Sequence, residues 1–328
     1  MRNKEELINI IFNESCLDTL KSMPDEVLDC VITSPPYWQL RDYGYEGQWG
    51  LEPTYNGYLE HLWEMMDLIY KKLKPSGTVW INLGDTYGTV SGGLAGKNTF
   101  DPKNPNATIN VIKQPKTNHK CLLLLPHRFA IGCIDRGWIV RNDIVWAKKN
   151  ALPESVKDRF SKKHEYMFFM TKSPKYYFDL DSVKDNYLTK ENRQNGIVRN
   201  RAFKYDSKMN NKDINPNAPS LENIDENEAY KPLDRKKNPG DVSDFWDINT
   251  KPSKEKHYAT YNSELIKKPI IAGCPPNGII YDPFMGTGST AESALEYGRL
   301  FIGSEMSEKY CEIANERINN YITDLKLF

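Results

Sequence analysis

Thr33-Ser34-Pro35-Pro36-Tyr37-Trp38 follows directly on Val27-Leu28-Asp29-Cys30-Val31-Ile32, and this junction decides the fold. The second stretch is a short apolar run of the kind that forms a buried strand. Two successive prolines cannot continue a ladder, so the chain must turn out of the sheet there. A hydroxyl (Ser34), a carbonyl with no amide donor beside it (Pro35) and two aromatic faces (Tyr37, Trp38) project from that strand end. Such groups suit a flat molecule with an exposed amino group.

Working outward, residues 8–13 read as a first strand and Cys16 to Leu20 as the start of a short helix. Gln39 to Thr54 is a loop rich in glycine and aromatic residues, a composition shared by packed loops and by loops that cover a site. Apolar residues at helical spacing from Tyr58 to Leu73 predict a helix, stopped at Lys74-Pro75-Ser76-Gly77. Residues 78–83 read as another buried strand. Residues 84–120 form a long polar loop, and loops of that length are functional or disordered. A helix over Leu122–Arg136 and a hairpin-like pair of strands, Trp138–Trp146 and Glu165–Met170, come next. The excursion between those strands carries Lys148, Lys149, Lys157, Arg159, Lys162 and Lys163 against Glu154 and Asp158. A solvated charged loop and a phosphate-contacting loop both satisfy that composition. Periodicity fades from about 180 to 256, although Phe203, Tyr205, Tyr230, Phe245 and Trp246 favour a small inserted module over a linker. Regular order returns with a helix over 263–272, a strand over 278–282, a helix over 287–297, a strand over 299–303 and an amphipathic helix over 307–322. Strands alternating with helices imply a mainly parallel sheet covered on both faces.

The second motif is Asp282-Pro283-Phe284-Met285-Gly286-Thr287-Gly288-Ser289-Thr290, which follows a strand and opens a helix. Glycines there let backbone approach a ligand, and free helix N–H groups face it. The next strand ends in Glu305, 17 positions after Gly288, and a carboxylate at that point suits the two hydroxyls of a ribose. There is no third glycine in dinucleotide register and no phosphate-binding lysine. An adenosyl compound without phosphates therefore fits, and S-adenosylmethionine is the candidate.

Composition narrows the rest. The chain has 328 residues, with Lys+Arg and Asp+Glu both numbering 44, so any nucleic-acid surface must come from local clustering. The cysteines at 16, 30, 121, 133, 274 and 311 form no CxxC pair or zinc-finger spacing, so reduced buried thiols and no metal are expected. The longest apolar run, Cys121 to Leu125, is too short to span a membrane, and no signal peptide is legible; a cytoplasmic location is expected.

The Thr33–Trp38 motif resembles the catalytic motif of the amino-group DNA methyltransferases, (Ser/Asn/Asp)-Pro-Pro-(Tyr/Phe/Trp), and Asp282–Gly288 resembles their FxGxG cofactor motif. The catalytic motif comes first, as in the permuted beta group. The resemblance implies an α/β fold, a doubly wound, mostly parallel seven-stranded sheet with an inserted target-recognition region. It implies a catalytic half over 1–179, target recognition over 180–256 and a cofactor-binding half over 257–328. Ser34, Pro35, Pro36 and Tyr37 would be catalytic. Asp18, Thr33, Thr260, Asp282, Pro283, Phe284, Gly286, Gly288, Ser289, Thr290 and Glu305 would hold S-adenosylmethionine. Asp18 matches the acid that reaches the adenine. His257 to Tyr261 resembles the block that closes over the methionine end, although Tyr258 and Asn262 stand where that block often has proline. Lys148, Lys149, Arg159, Lys162 and Lys163 are the candidates for contacts to double-stranded DNA.

In that reading Ser34 and the Pro35 carbonyl accept hydrogen bonds from an exocyclic amino group, Tyr37 stacks on the base, and the base is flipped out of the duplex. The strands over 27–32 and 278–282 would lie side by side at the switch point of the sheet. Serine in the first motif position resembles the cytosine-N4 enzymes; adenine N6 is the alternative, then an RNA or a protein glutamine, and last a non-catalytic binder. A cognate restriction endonuclease is compatible with the resemblance, and monomer and homodimer both stay open.

Overall fold

The computed structural model describes residues 1–88, 118–148, 150–151, 154–183, 243–249 and 262–325. Most of the polar loop 84–120 and of the stretch 180–256 lies outside these residues, as do Lys149, His257, Thr260 and Tyr261. The elements in chain order are β1 (Ile10–Phe12), α1 (Cys16–Ser22), β2 (Leu28–Thr33), α2 (Tyr55–Lys72), β3 (Leu73–Leu83), α3 (Leu125–Asp135), β4 (Ile139–Ala147) and β5 (His164–Thr171). They continue with β6 (Phe245–Asp247), α4 (Ser263–Gly273), β7 (Ile279–Asp282), α5 (Ser289–Glu296), β8 (Leu300–Ser304) and α6 (Glu308–Leu325).

Local chemistry sets the helix ends. The Ser15 hydroxyl accepts from Asp18 N at 3.2 Å to cap α1, and Thr54 does the same for α2 through Gly57 N at 3.1 Å. Lys71 and Lys72 occupy the last turn of α2, where they face the negative end of its dipole. The N-terminus of α3 is capped from a distance, since Asp85 Oδ1 accepts from Leu125 N at 3.1 Å.

The sheet runs β1-β8-β7-β2-β3-β5-β4-β6, and β5 is antiparallel to both of its neighbours. The described residues thus hold eight strands, one more than the sequence predicts. The addition is β6, which pairs in parallel with β4 and buries Trp246. It comes from the stretch assigned to the insertion, and three residues are too few to show a period. Met1–Ser182 together with Ser243–Phe328 form one compact unit; a second, Val183–Val242, lies outside the described residues apart from Val183.

Strand alternation feeds two apolar layers. Val79, Ile81, Phe168 and Met170 face one side, packed with Leu62 and Phe129 of α2 and α3. Cys30, Trp80, Met167 and Phe169 face the other, packed with Ile266, Ala291 and Ala314 of α4, α5 and α6. Trp80 and Phe169 stack in that layer with ring centroids 4.2 Å apart. The acid within β2 has a structural purpose: Asp29 accepts from Ile279 N at 2.9 Å and from Lys74 Nζ at 2.7 Å. It therefore ties β2 to β7, whose register pairs Cys30 with Ile280 and Val31 with Tyr281. β2 crosses over to β3 on one side and β7 to β8 on the other, so the gap above these two strands is the switch point where α/β sheets bind ligands.

Candidate active site

Both motifs leave the sheet at this gap. Past Thr33 the chain turns at the prolines, and the segment after it is pinned by Gln39 N donating to Gly50 O at 2.6 Å. Trp38 is not a ligand face, as its sequence position suggests, but an anchor. It is buried, donates from Nε1 to Glu52 O at 2.9 Å, and meets the Tyr55 ring edge-on. Tyr37 is the aromatic residue that reaches the gap. Its hydroxyl lies 2.8 Å from Glu165 Oε2 and 3.0 Å from Asn82 Oδ1, so one proton serves two acceptors. Glu165 in turn pairs with Lys148 Nζ, which also sits 4.1 Å above the Trp146 ring. Burial, reinforced by the Glu165 charge, pushes the Tyr37 hydroxyl well above its ordinary pKa and keeps it neutral. The ring is backed by Gly84, where a Cβ would fall 2.7 Å from Tyr37 Cε2.

Among the described residues Ser34 Oγ has only long contacts, 3.5 Å to the Tyr37 hydroxyl and 3.4 Å to Asn82 Oδ1. Its lone pairs are therefore available to a stronger donor.

On the β7 side, Asp282 is fully buried and accepts from Thr33 Oγ1 at 2.6 Å, Thr290 Oγ1 at 2.5 Å and Phe284 N at 3.0 Å. Those bonds fix the loop that presents Phe284 and Gly286. Glu305, at the end of β8, accepts from Gly286 N at 2.9 Å and Ser307 N at 2.8 Å. Burial raises its carboxyl above the ordinary range, against the pull of those backbone donors.

A cavity of about 320 Å³ opens here, lined by Ser34, Pro35, Tyr37, Asn82, Lys148 and Glu165 on one wall and by Phe284, Gly286, Thr287 and Ser289 on the other. Two recesses continue it past the Phe284 ring. One is lined by Tyr43, Tyr45, Phe284 and Glu305, the other by Cys16, Tyr45, Trp49, Pro283 and Glu305. Trp49 meets Phe284 at 5.3 Å, so the Gln39–Thr54 loop forms part of the wall of the site.

The recesses pass a test for an adenosyl ligand without phosphates. Among the described residues their linings include no lysine or arginine, but do include aromatic rings for a flat base and a carboxylate with lone pairs left for a diol. The buried Thr287 hydroxyl, at the seam between cavity and recess, has no hydrogen-bond partner among the described residues. A buried polar atom without a partner is costly unless something else supplies one.

A family model described as DNA methylase, covering N6 and N4 methylases, matches residues 28–316. The chain belongs to this DNA methylase family. It is 33% identical over 319 residues to the type II methyltransferase M.Cfr9I of Citrobacter freundii, covering 96% of this chain and 89% of that one. It is 34% identical over 305 residues to the type II methyltransferase M.SmaI of Serratia marcescens, covering 92% and 87%. In fold it is similar to the PvuII DNA methyltransferase (cytosine-N4-specific), with a TM-score of 0.57 at 17% identity, covering 95% of this chain and 90% of that one. It is also similar to a putative DNA modification methylase of Thermus thermophilus complexed with S-adenosyl-L-methionine, with a TM-score of 0.54 at 20% identity, covering 94% and 93%.

Within this DNA methylase the residues singled out in the sequence separate into two groups. Ser34, Pro35, Pro36, Tyr37, Pro283, Phe284, Gly286, Ser289 and Glu305 line the cavity or its recesses. Thr33, Asp282 and Thr290 lie buried beneath them and hold the two loops together, and Gly288 turns the chain into α5 with φ +83°. Asp18 is exposed and bonded to its cap residue, with Ser15 Oγ donating to it at 2.7 Å; the neighbouring Ser15 and Cys16 line the recess instead.

The basic candidates also divide. Lys148 belongs to the cavity. Arg159 Nη1 donates to Glu154 at 2.5 Å, and Lys162 Nζ donates to the carbonyl of Asp85. Lys163 is exposed. Asn82, Thr287 and Glu165 are polar cavity residues that sequence reasoning passes over. Asn82 and Glu165 sit in strands read as core, while Thr287 lies between the two motif glycines and was open to recognition.

Burial pushes the thiols of Cys16 and Cys30 up to about 12, which leaves them poor nucleophiles. No helix among the described residues is long and apolar enough to cross a membrane.

Proposed function

We propose that this DNA methylase transfers a methyl group from S-adenosylmethionine to the N4 amino group of a cytosine flipped out of duplex DNA. One observation carries the reading: Ser34, Pro35 and Tyr37 share a cavity with Phe284 and Gly286. The recesses beyond Phe284 suit the adenosyl part, with Glu305 toward the ribose and Thr287 offering its unused hydroxyl. Bound S-adenosylmethionine would supply an electrophilic methyl on its sulfonium; transfer breaks the S–CH3 bond, leaving a neutral thioether, and the methylated nitrogen gives up one N–H proton to solvent. The protein's task is to position the acceptor.

An exocyclic amino nitrogen is a poor nucleophile because its lone pair is delocalised into the ring. Ser34 Oγ and the Pro35 carbonyl are acceptors for its two protons and draw the nitrogen toward a nucleophilic geometry. The prolines keep these acceptors from closing on one another. Tyr37 offers a ring fixed by Glu165, Asn82 and Gly84 for the base to pack on. Holding both reactants this way removes much of the entropic barrier.

Two features favour cytosine. Ser34 is a short neutral acceptor. Lys148 is a donor within the cavity, and cytosine carries ring acceptors N3 and O2 along the edge that bears its amino group, where adenine has N1 and then a C–H. We assign target recognition to the stretch 180–256 apart from β6, by its place in the sequence between the two motifs. The type II relatives extend the reading to a restriction-modification pair with a cognate endonuclease.

The test is incubation with labelled S-adenosylmethionine and plasmid DNA, followed by nucleoside mass spectrometry. N4-methylcytosine is expected. N6-methyladenine would overturn the choice of base, and label confined to RNA or protein would overturn DNA as the substrate.

A further inference from the structure

The loop between β4 and β5 holds a residue that the site does not use. Phe160 is 97% exposed. Single exposed apolar side chains are common, and it is the setting that distinguishes this one. The backbone around Phe160 is held in place. Arg159 Nη1 donates to the Phe160 carbonyl at 3.0 Å and to Glu154 at 2.5 Å, with its guanidinium 3.9 Å above the centre of the Tyr87 ring. Val156 N donates to Glu154 O at 2.9 Å, and Lys148 N to Lys163 O at 2.8 Å. Lys120 pairs with Asp158 at 2.5 Å, cancelling an acid at the tip. The ring is therefore presented to solvent by a braced loop, between the exposed lysines 157 and 163.

The same loop is fastened to the rim of the active-site cavity. Lys162 donates to the carbonyl of Asp85, next to the Gly84 that backs Tyr37. Glu165 lines the cavity five positions after Phe160, a separation of at most about 18 Å even for an extended chain.

We propose that Phe160 is a wedge that enters the DNA base stack where the target base has left it, with Lys157 and Lys163 on the flanking phosphates. The proposal rests on the reading of the chain as an enzyme that flips its base. Extrusion leaves a hole the size of a base and wets the faces of the neighbouring bases. An apolar ring inserted there fills the hole and restores stacking, so the open duplex is favoured. The charge around the ring suits a polyanion.

Phe160→Ala tests this, since an exposed side chain with no packing role leaves the fold intact; an unchanged melting temperature checks that. Two duplexes carry the sequence that the labelling experiment finds methylated, one fully matched and one with the target base mismatched. A mismatched base flips at little cost. On the matched duplex kcat/KM should fall about 10- to 100-fold, the loss of roughly one stacking contact, and on the mismatched duplex by less than about threefold. Phe160→Trp should retain activity. Equal losses on both duplexes, or none on either, would overturn the wedge. If the wild type labels DNA and Phe160→Ala is indifferent, the wedge alone fails; if the wild type labels no DNA, the wedge falls together with the proposed function.

Discussion

Thr33 Oγ1 donates a 2.6 Å hydrogen bond to Asp282 Oδ1, joining the last residues of β2 and β7 in a fully buried contact. The two motif loops that line the cavity begin one residue beyond each partner. Their mutual placement therefore depends on a bond that no ligand needs to touch.

Thr33→Val removes one donor and should lower stability by about 1 kcal/mol. Asp282→Ala leaves Thr33, Thr290 and Phe284 N without their acceptor and should cost at least about 3 kcal/mol. Urea unfolding reads both. Equal, small losses would show that Asp282 is not the hub of this contact.

Glu165 holds Tyr37 and Lys148 at once. Glu165→Ala should lower kcat/KM for methyl transfer more than about 10-fold while S-adenosylmethionine affinity stays within about twofold, because only the acceptor side of the cavity is disturbed. Tyr37→Phe combined with Glu165→Ala should be less than additive, since both cut the same bond. Additive losses would separate the two residues.

At Gly84 the backbone leaves no room for a side chain beside Tyr37, with 2.7 Å to Cε2 and 3.4 Å to Glu165 Cγ. Gly84→Ala should push the tethered ring into the cavity and raise KM for DNA several-fold without weakening the adenosyl ligand. Steady-state kinetics over DNA concentration measures it. An unchanged KM would mean that the ring yields freely.

Glu305 sets the expected pH dependence. Its ionised form accepts hydroxyl hydrogen bonds, and burial places its titration above the ordinary carboxylate range. Across a titration through the acidic range, S-adenosylmethionine affinity should therefore fall as pH is lowered, and the fall should begin at a higher pH than an unshifted glutamate near about 4.3 would give. In the unliganded protein the sign reverses: a raised carboxyl pKa favours folding below it, and that advantage is lost as pH rises through it. Calorimetry across this range, with Glu305→Gln as a flat control, decides the matter.

The strands around both motifs were legible because burial on two faces writes unbroken apolar runs, as in Val79–Ile81 and Ile279–Tyr281. The adjacency of β2 and β7 followed from the motif order, and β2·β7 pairing bears it out. Two kinds of information were hidden. A three-residue strand such as β6 has no period to detect. Side chains that face the cavity from inside a strand, Asn82 and Glu165, occupy pleat positions that read as ordinary sheet. Lys148 and Lys162 looked like surface cations because sequence shows charge and not its partner; here a carboxylate and a carbonyl take them inward.

The strand order has a consequence for synthesis. A ribosome releases β2, β3, β4 and β5 long before β7 and β8, so the emerging sheet waits with the flank of β2 bare. An uncovered parallel strand is a template for aggregation. The nascent chain thus carries the Ser34–Tyr37 wall of the cavity but lacks the Phe284–Ser289 wall until β7 and the loop after it have been translated. Slower growth at low temperature, which lengthens that wait but weakens apolar association, is the condition under which its soluble yield should be measured first.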